Sequence, residues 1–584
     1  MILLNWLYLI VLTIFVRCFS IEGKTFFVSD YGAYSNDNID DTRNIQMAVD
    51  AAIKYGLNSI INFGYGIYNL SDTINVKNAT NLTITGQGID QTWLIGNSFI
   101  SIFSIKYCNS LTLTGFSIDF DPLPFTGGYV VQVNKSYIDV QVQTPHRADV
   151  DRQVRAILRY DPVHRRAAFG PNTYEIYQTP SENKTTSLVS LGVLRIPLNR
   201  PSQFLINDAV IVRYSFSNHS ISAQDSTDVT IQSINTYTSS FMGIITVRVR
   251  RLNIIDYHVR THKDRWMSTI VDCLHLTDSF ESITILNSEC QSMGDDGLNI
   301  HSSYFNVSRI INSTALIMET AVYHGLMDVG TGTHLEFSSS QQPFTVHTIG
   351  QVVSSQRVAF NANLIIFAQP IDANIGDWAC LSDTPLVFIR NFTVANNRAR
   401  GALLQSRNID MRYSLFNRTS GPAVLFQPSL FWFEGPGAKN VTLSDNTYIH
   451  CNEGISQNKG MISILPDPIQ LVQVINDIRI ASSTFIFGNY SQGLLQSNNA
   501  NNVYLTGNYI ATNNSMALIS ICNSRNVTGS NNCLVNNQTT VNQIYVFDQT
   551  ELCKMNLSSL IDLPRSAFNS SFPPPVFISY ISID

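Results

Sequence analysis

The sequence predicts an all-β chain wound as a parallel β-helix, with two small antiparallel β-units inserted between coils and one helix capping the N-terminal end. Three observations carry this. One phrase recurs: Asn-Leu-Thr-Ile-Thr-Gly at 81–86, Ser-Leu-Thr-Leu-Thr-Gly at 110–115, Asp-Val-Thr-Ile-Gln at 228–232, Ser-Ile-Thr-Ile-Leu-Asn at 282–287, Asn-Val-Thr-Leu-Ser-Asp-Asn at 440–446 and Asn-Val-Tyr-Leu-Thr-Gly-Asn at 502–508. Its copies alternate β-branched or apolar residues with polar ones, and uninterrupted copies return after about 20 to 30 residues, which marks a repeat architecture. Asn is frequent at the turns of the phrase, where it tolerates left-handed backbone and bonds its own main chain. Charge is sparse, 14 % of residues, with mean hydropathy +0.04, as suits stacked strands with much buried backbone. A β-sandwich would not repeat one phrase over most of the chain.

The elements follow in order. Residues 1–20 are apolar, short for a spanning helix and followed by a small polar stretch, so they read as a secretory signal peptide; no Lys or Arg precedes the apolar core, and a retained signal anchor is the alternative. Coils occupy 24–122. Within them Asp40-Asp41-Thr42 offers an N-cap, Ile45, Ala48, Val49, Ala52 and Ile53 form an apolar stripe, and Gly56 stops the helix. That helix is expected to plug the open end of the solenoid. The phrase is lost over 123–216 and 303–386, where strands alternate with tight turns; these are the two inserted antiparallel units. Coils return over 217–302 and 387–540, and 541–584 is a Pro-containing tail with no assigned role.

Composition bounds the function. Net charge is −6 and Lys and Arg are scattered, which excludes a nucleic-acid partner; Arg248-Val249-Arg250-Arg251 reads as a solvated turn or strand face. Beyond the leader no apolar run suggests a membrane span. Seventeen Asn-x-Ser/Thr sequons, among them Asn78, Asn81, Asn391, Asn440 and Asn526, add to the expectation of a secreted protein, extracellular or in the lumen of the secretory or lysosomal pathway. No cysteine spacing resembles a zinc site. Cys273 and Cys290, and Cys522 and Cys533, are candidate disulfides, with buried thiols as the alternative.

Asp295 and Asp296 sit side by side in Gly294-Asp295-Asp296-Gly297, and Asp272 lies about one repeat upstream. In a solenoid, residues one repeat apart stack about 4.8 Å from each other. Three carboxylates then meet on one patch, an arrangement suited to glycoside hydrolysis, in which one carboxyl protonates the leaving oxygen and another deprotonates water. Neighbours in an ideal strand face opposite ways, so Gly294 and Gly297 are expected to form a bulge or turn that aims both acids inward. Asp-Asp-Gly alone is an ordinary or calcium-binding turn. Asp272 one coil away, with His275 and His301 close behind the acids, favours a site whose histidines bond sugar hydroxyls or hold a carboxylate.

Several further motifs carry a family resemblance. Phe26-Phe27-Val28-Ser29-Asp30-Tyr31-Gly32-Ala33 with Asp40-Asp41-Thr42 resembles the opening of the pectate-lyase-like superfamily, which implies a right-handed β-helix. Arg265-Trp266-Met267-Ser268-Thr269 with Asp272 and His275, Asp295-Asp296 with Asn299 and His301, Asn396-Asn397-Arg398-Ala399-Arg400, Gly421-Pro422-Ala423-Val424-Leu425 and Trp432-Phe433-Glu434 together resemble glycoside hydrolase family 110, the α-1,3-galactosidases. The resemblance spans about 25–455 as scattered motifs in order. It implies a metal-independent inverting hydrolase of terminal α-1,3-linked galactose with no cofactor, whose essential acids match Asp272, Asp295 and Asp296. Gly297-Leu298 stand where the family carries alanine and threonine, and Cys273-Leu274 follow Asp272, so the hydrolase class is better supported than the sugar. His275, Asn299, His301, Arg398, Arg400, Trp432 and Glu434 are candidate substrate contacts. A surface ion pair explains Arg398, Arg400 and Glu434 equally, and Trp432 also reads as a core aromatic.

Two other functions compete. A polygalacturonase would share the acid arrangement, but its later Gly-His-Gly and Arg-Ile-Lys motifs are missing; a pectate lyase would need a basic residue as base and usually calcium. A non-catalytic secreted β-helix for carbohydrate binding or adhesion would suit the sequons and the Asn-rich coils.

Overall fold

The structure is a computed structural model that describes residues 23–56, 58–170, 175–177, 185–198, 203–320, 329–454, 460–470, 472–512, 519–535, 548–549 and 576–578. The expected signal peptide and most of the 541–584 tail lie outside the described residues.

The chain forms a right-handed parallel β-helix. One apolar column fixes the register of its longest sheet. Leu82, Leu111, Val229, Leu252, Ile283, Val387, Ile409, Val441, Ile478, Val503 and Val527 each pair with the next, one coil apart. These are the apolar positions of the recurring phrase. Slipping one coil by a residue would turn its whole apolar set outward, so the column itself specifies the stacking. Just before it, Asn81, Ser110, Asp228, Arg251, Asn408, Asn440, Asp477, Asn502 and Asn526 have φ of 49–60°. Each coil bends there through left-handed backbone, which Asn and Asp tolerate best. Arg251 is a costly residue at that position, and its guanidinium is anchored to Asp228 at 2.6 Å and to Glu281, one coil to either side.

A second parallel sheet runs through Phe103–Lys106, Ile221–Gln224, Ile244–Val247, Leu274–Thr277, Leu298–Asn312, Ala402–Leu404 and Val424–Phe426. The solenoid interior between the sheets is one continuous apolar core. It includes an aromatic stack of Phe416, Tyr448 and Phe485, with ring centroids 5.4 and 4.6 Å apart.

The helix spans Thr42–Tyr55 and buries Ile45, Ala48, Val49 and Ala52 against the N-terminal end of this core, with Ile53 half-buried. Its start differs in one detail from the sequence expectation. Asp41 makes no side-chain cap; Asp40 accepts the Thr42 N–H at 3.1 Å, while Asp41 turns inward to accept the Asn69 N–H.

Antiparallel strands occupy both stretches that lack the phrase. The first sheet contains Phe125–Val133, Tyr137–Val142, Ala156–Asp161, Glu175–Tyr177, Val193–Pro197 and Ala209–Arg213, with its own core around Val130, Ile138, Val140 and Val212. It docks on the solenoid through Phe125, Leu158, Tyr160 and Trp266. Trp266 of the Arg-Trp-Met-Ser-Thr motif is therefore a docking residue, stacked on Tyr160, whose hydroxyl donates to the Trp266 carbonyl at 2.5 Å. The second unit grows directly out of the solenoid. Strand Leu298–Asn312 begins in the parallel sheet and ends paired antiparallel with Ala315–Glu319 and Trp378–Leu381.

Cys273 and Cys290 form a disulfide. Cys522 is disulfide-bonded, but Cys533 is in no disulfide, so the expected Cys522–Cys533 pair is not formed. Among the described residues no helix is long and apolar enough to cross a membrane.

Candidate active site

The acids lie in turns between strands. Residues 292–297 link Phe280–Gln291 to Leu298–Asn312, so Asp295 and Asp296 escape strand alternation and both line one cavity of about 560 Å3. Leu274, Leu298 and Ala402 are in register, which places Asp272, Asp296 and Arg400, each two residues earlier, in a stack. Backbone bonds tie the three turns together: Cys273 N–H to the Asp296 carbonyl at 2.9 Å and Gly297 N–H to the Arg400 carbonyl at 3.1 Å.

The glycines make this approach possible. A Cβ on Gly294 would sit 2.1 Å from the Ile270 carbonyl oxygen, and one on Gly297 2.5 Å from the Gly401 carbonyl oxygen and from Val394. Gly297→Ala is expected to destabilise the protein by about 1–3 kcal/mol, because backbone on the neighbouring coil has to shift. Thermal unfolding against wild type checks this, and turnover should fall with it since Asp296 is the adjacent residue.

Each carboxylate has its own surroundings. Asp272 is buried; one oxygen accepts the Asp296 backbone N–H at 3.1 Å and the other meets His275 Nδ1 at 2.8 Å. Burial pushes its carboxyl well above the ordinary range, and the neighbouring Asp295 charge adds to the shift. Asp296 is buried and held by Arg400, through the backbone N–H at 2.8 Å and the guanidinium at 2.7 Å. Burial lifts this carboxyl as well; Arg400 opposes the shift, and Asp295 and Asp272 reinforce it. Asp295 is more open and pairs with the Arg398 guanidinium at 2.9 Å. Asn397 Nδ2 lies 2.7–3.0 Å from the carbonyls of Asp295, Arg398 and Arg400 and so fastens the arginine loop to the acid turn.

Behind the acids, His275 Nε2 meets His301 Nε2 at 3.0 Å, so one ring supplies the proton between them. Burial holds His275 below the usual imidazole range. His301 also meets Thr277 at 3.1 Å and lies 3.7 Å from Glu434. Glu434 accepts from Gln405 at 2.5 Å and from Asn299 at 3.5 Å. Asn299 Oδ1 is buried and has no hydrogen-bond partner.

Most sequence candidates converge. Asp272, Asp295, Asp296, His275, Asn299, Arg398, Arg400, Trp432 and Glu434 all line the cavity. Arg398 and Arg400 do form ion pairs, but with the acids inside the cavity rather than on an outer face. Two expectations are corrected. His301 is not part of the cavity wall; it is buried behind His275 and buttresses that ring. Trp432 is no core aromatic: it is 54 % exposed, set edge-on against Phe431 at the cavity wall. The second unit reaches the cavity with Ser303, Phe305 and Thr320.

Sequence reasoning missed Glu175, Tyr177 and His219. Tyr177 and His219 line the cavity and Glu175 pairs with Arg398 at 2.7 Å. Neither residue of the Glu175–Tyr177 strand lies near a motif, and no local signal marks them. Two trios bring donor atoms within 4.8 Å of one another and have the chemistry to hold a cation: His275, His301 and Glu434, and separately Asp272, Asp295 and Asp296. In the acid trio two carboxylates already carry guanidinium partners.

No protein-family model matches the chain. It is similar to Alpha-1,3-galactosidase B of Bacteroides thetaiotaomicron, 23% identical over 525 residues that cover 80% of this chain and 83% of that protein. Alpha-1,3-galactosidase A of Bacteroides fragilis is 20% identical, with 82% and 87% covered. A match to Alpha-1,3-galactosidase B of Phocaeicola vulgatus is 25% identical and spans 41% of this chain and 43% of that protein. The resemblance to the α-1,3-galactosidases is thus met by sequence relatives across most of the chain. Among solved structures, the Agl-KA catalytic domain has a TM-score of 0.43 at 11% identity, covering 87% of this chain and 66% of that one. A family 28 exopolygalacturonase of Yersinia enterocolitica has a TM-score of 0.41 at 11% identity, covering 86% and 74%.

Proposed function

We propose that this chain is a secreted glycoside hydrolase that removes terminal α-linked galactose, with α-1,3 linkage as the first candidate, and that it does so without a metal. One observation carries the reading: three carboxylates from two successive coils converge in one cavity, with Arg398 paired to Asp295 and Arg400 to Asp296. The names of the sequence relatives supply the sugar and the linkage. The apolar leader and the sequons support secretion.

The surroundings divide the roles. Asp272 has no guanidinium bonded to it and burial keeps its proton on, so it is the general acid that protonates the leaving oxygen. Asp295 is the most open of the three and is oriented by Arg398 at 2.9 Å, so it is the base that takes a proton from water. Asp296, clamped by Arg400, is a second buried carboxyl that fixes the geometry of the trio beside the reacting centre. His275, Asn299 and Glu434 offer donors and acceptors to sugar hydroxyls, and Trp432 offers a ring face.

The nearest carboxylate oxygens lie within 4.8 Å, tighter than the roughly 6.5–9.5 Å common between the acids of inverting enzymes. Inversion is the outcome this reading expects on the resemblance to the α-1,3-galactosidases, and the anomer released first tests it.

A panel of terminal α- and β-galactosides and polygalacturonate, with and without chelator, tests the reading. Galactose release from α-1,3-linked substrates, indifferent to chelator, is expected. Turnover of polygalacturonate instead would place the chain with the pectin hydrolases, and no turnover by folded protein would leave a carbohydrate-binding module. Because the acid's proton is held by burial, activity should persist above the usual carboxylate range and fall as pH rises through the raised value. A basic limb of the pH–rate profile in the ordinary carboxylate range would contradict Asp272 as the acid.

A further inference from the structure

We propose that Glu175, delivered by the first inserted sheet, is a positioning residue that aims the base; the proposal rests on the assignment of Asp295 above. Glu175 pairs across the sheet with Leu158, and Ala156 two residues earlier pairs with Arg213. This brings Glu175 and Arg213 together, and they form an ion pair. Glu175 also takes one arm of Arg398 at 2.7 Å, while the other arm of the same guanidinium holds Asp295 at 2.9 Å. The result is a chain of alternating charge, Arg213–Glu175–Arg398–Asp295, running from the inserted sheet to the reacting group.

Arg213 anchors the far end. It is fully buried, and its guanidinium donates to the Ile270 carbonyl at 3.1 Å and to the Gly294 carbonyl at 3.4 Å, next to the acid turn. A planar guanidinium with two carboxylates on two nitrogens has little rotational freedom. With one carboxylate removed it can swing, and Asp295 moves with it. Glu175 also offsets the positive charge of Arg398 and Arg213. The first insert is then a working part of the site and not only a wall.

The test compares wild type, Glu175→Gln and Glu175→Asp in the full chain, by pH–rate profile on an α-galactoside and by crystal structure of each. The expected result for Glu175→Gln is a fall in kcat of about 10-fold or more with KM nearly unchanged, and Arg398 turned off Asp295. Glu175→Asp should recover part of kcat. Unchanged kcat in folded Glu175→Gln would overturn the proposal while leaving galactosidase activity standing. If wild type hydrolyses no galactoside, the proposed function fails, and the crystal structures still decide the positioning role: Arg398 unmoved on Asp295 in Glu175→Gln would refute it.

Discussion

Asp272→Asn and Asp295→Asn should each lower hydrolysis of an α-galactoside with a poor leaving group by about 10²–10⁴-fold, the usual worth of a general acid or base. The two should part on α-galactosyl fluoride, whose leaving group needs no proton. Asp272→Asn should keep most of its activity there, and Asp295→Asn should lose it. The reverse pattern would exchange the two roles. Stability should move the opposite way to activity for Asp272. Its folded value is raised, so it favours folding fully only below the unfolded value of about 3.9, and that contribution is lost as pH rises through the folded value. Asn carries no such loss. The unfolding temperature of Asp272→Asn relative to wild type should therefore climb across that window, as expected where a site is kept strained for function.

Arg400→Met should have the largest effect on stability. It leaves the Asp296 carboxylate, 2 % exposed, with the Arg400 backbone N–H as its remaining partner from that loop. Stripping one member from a buried pair costs about 3–5 kcal/mol; since the Arg400 side chain is 30 % open to the cavity, the lower end applies. Adding Asp296→Asn should recover part of the loss, because an amide at that position no longer needs a cation. A double-mutant cycle of unfolding free energies measures this coupling. Additive effects would mean that Arg400 acts on stability through something other than Asp296.

Much of this architecture is legible because a solenoid converts sequence spacing into spatial contact. The apolar column through Val229, Ile283 and Val503 and the left-handed turn at Asn81, Asn440 and Asn526 are the same phrase seen in sequence and in space. The same rule carries Asp272 to Asp296. It fails where contacts come from outside the repeat. Tyr177 reaches the cavity, and Glu175 reaches Arg398, from an antiparallel sheet whose strands carry no mark of their destination. His301 and His275 both follow an acid closely, yet only His275 meets the cavity, because it stands in front of the other ring. Trp432 reads as core by residue type alone, while the turn after Ser429 sets it at the cavity wall, with the Ser429 hydroxyl accepting its backbone N–H at 3.2 Å. The disulfide at Cys273–Cys290 follows coil stacking, whereas Cys522 and Cys533, also candidates by spacing, are not joined.

The most direct measurement is proton NMR of an α-1,3-linked galactoside during hydrolysis by the protein in the presence of chelator, with Asp295→Asn alongside. Appearance of β-galactose before mutarotation, absent in the variant, is the outcome that the proposed inverting, metal-independent hydrolysis predicts. Release of α-galactose first would mean a covalent intermediate and a nucleophilic carboxylate, and loss of activity with chelator would mean that one of the acid or histidine trios works by holding a cation.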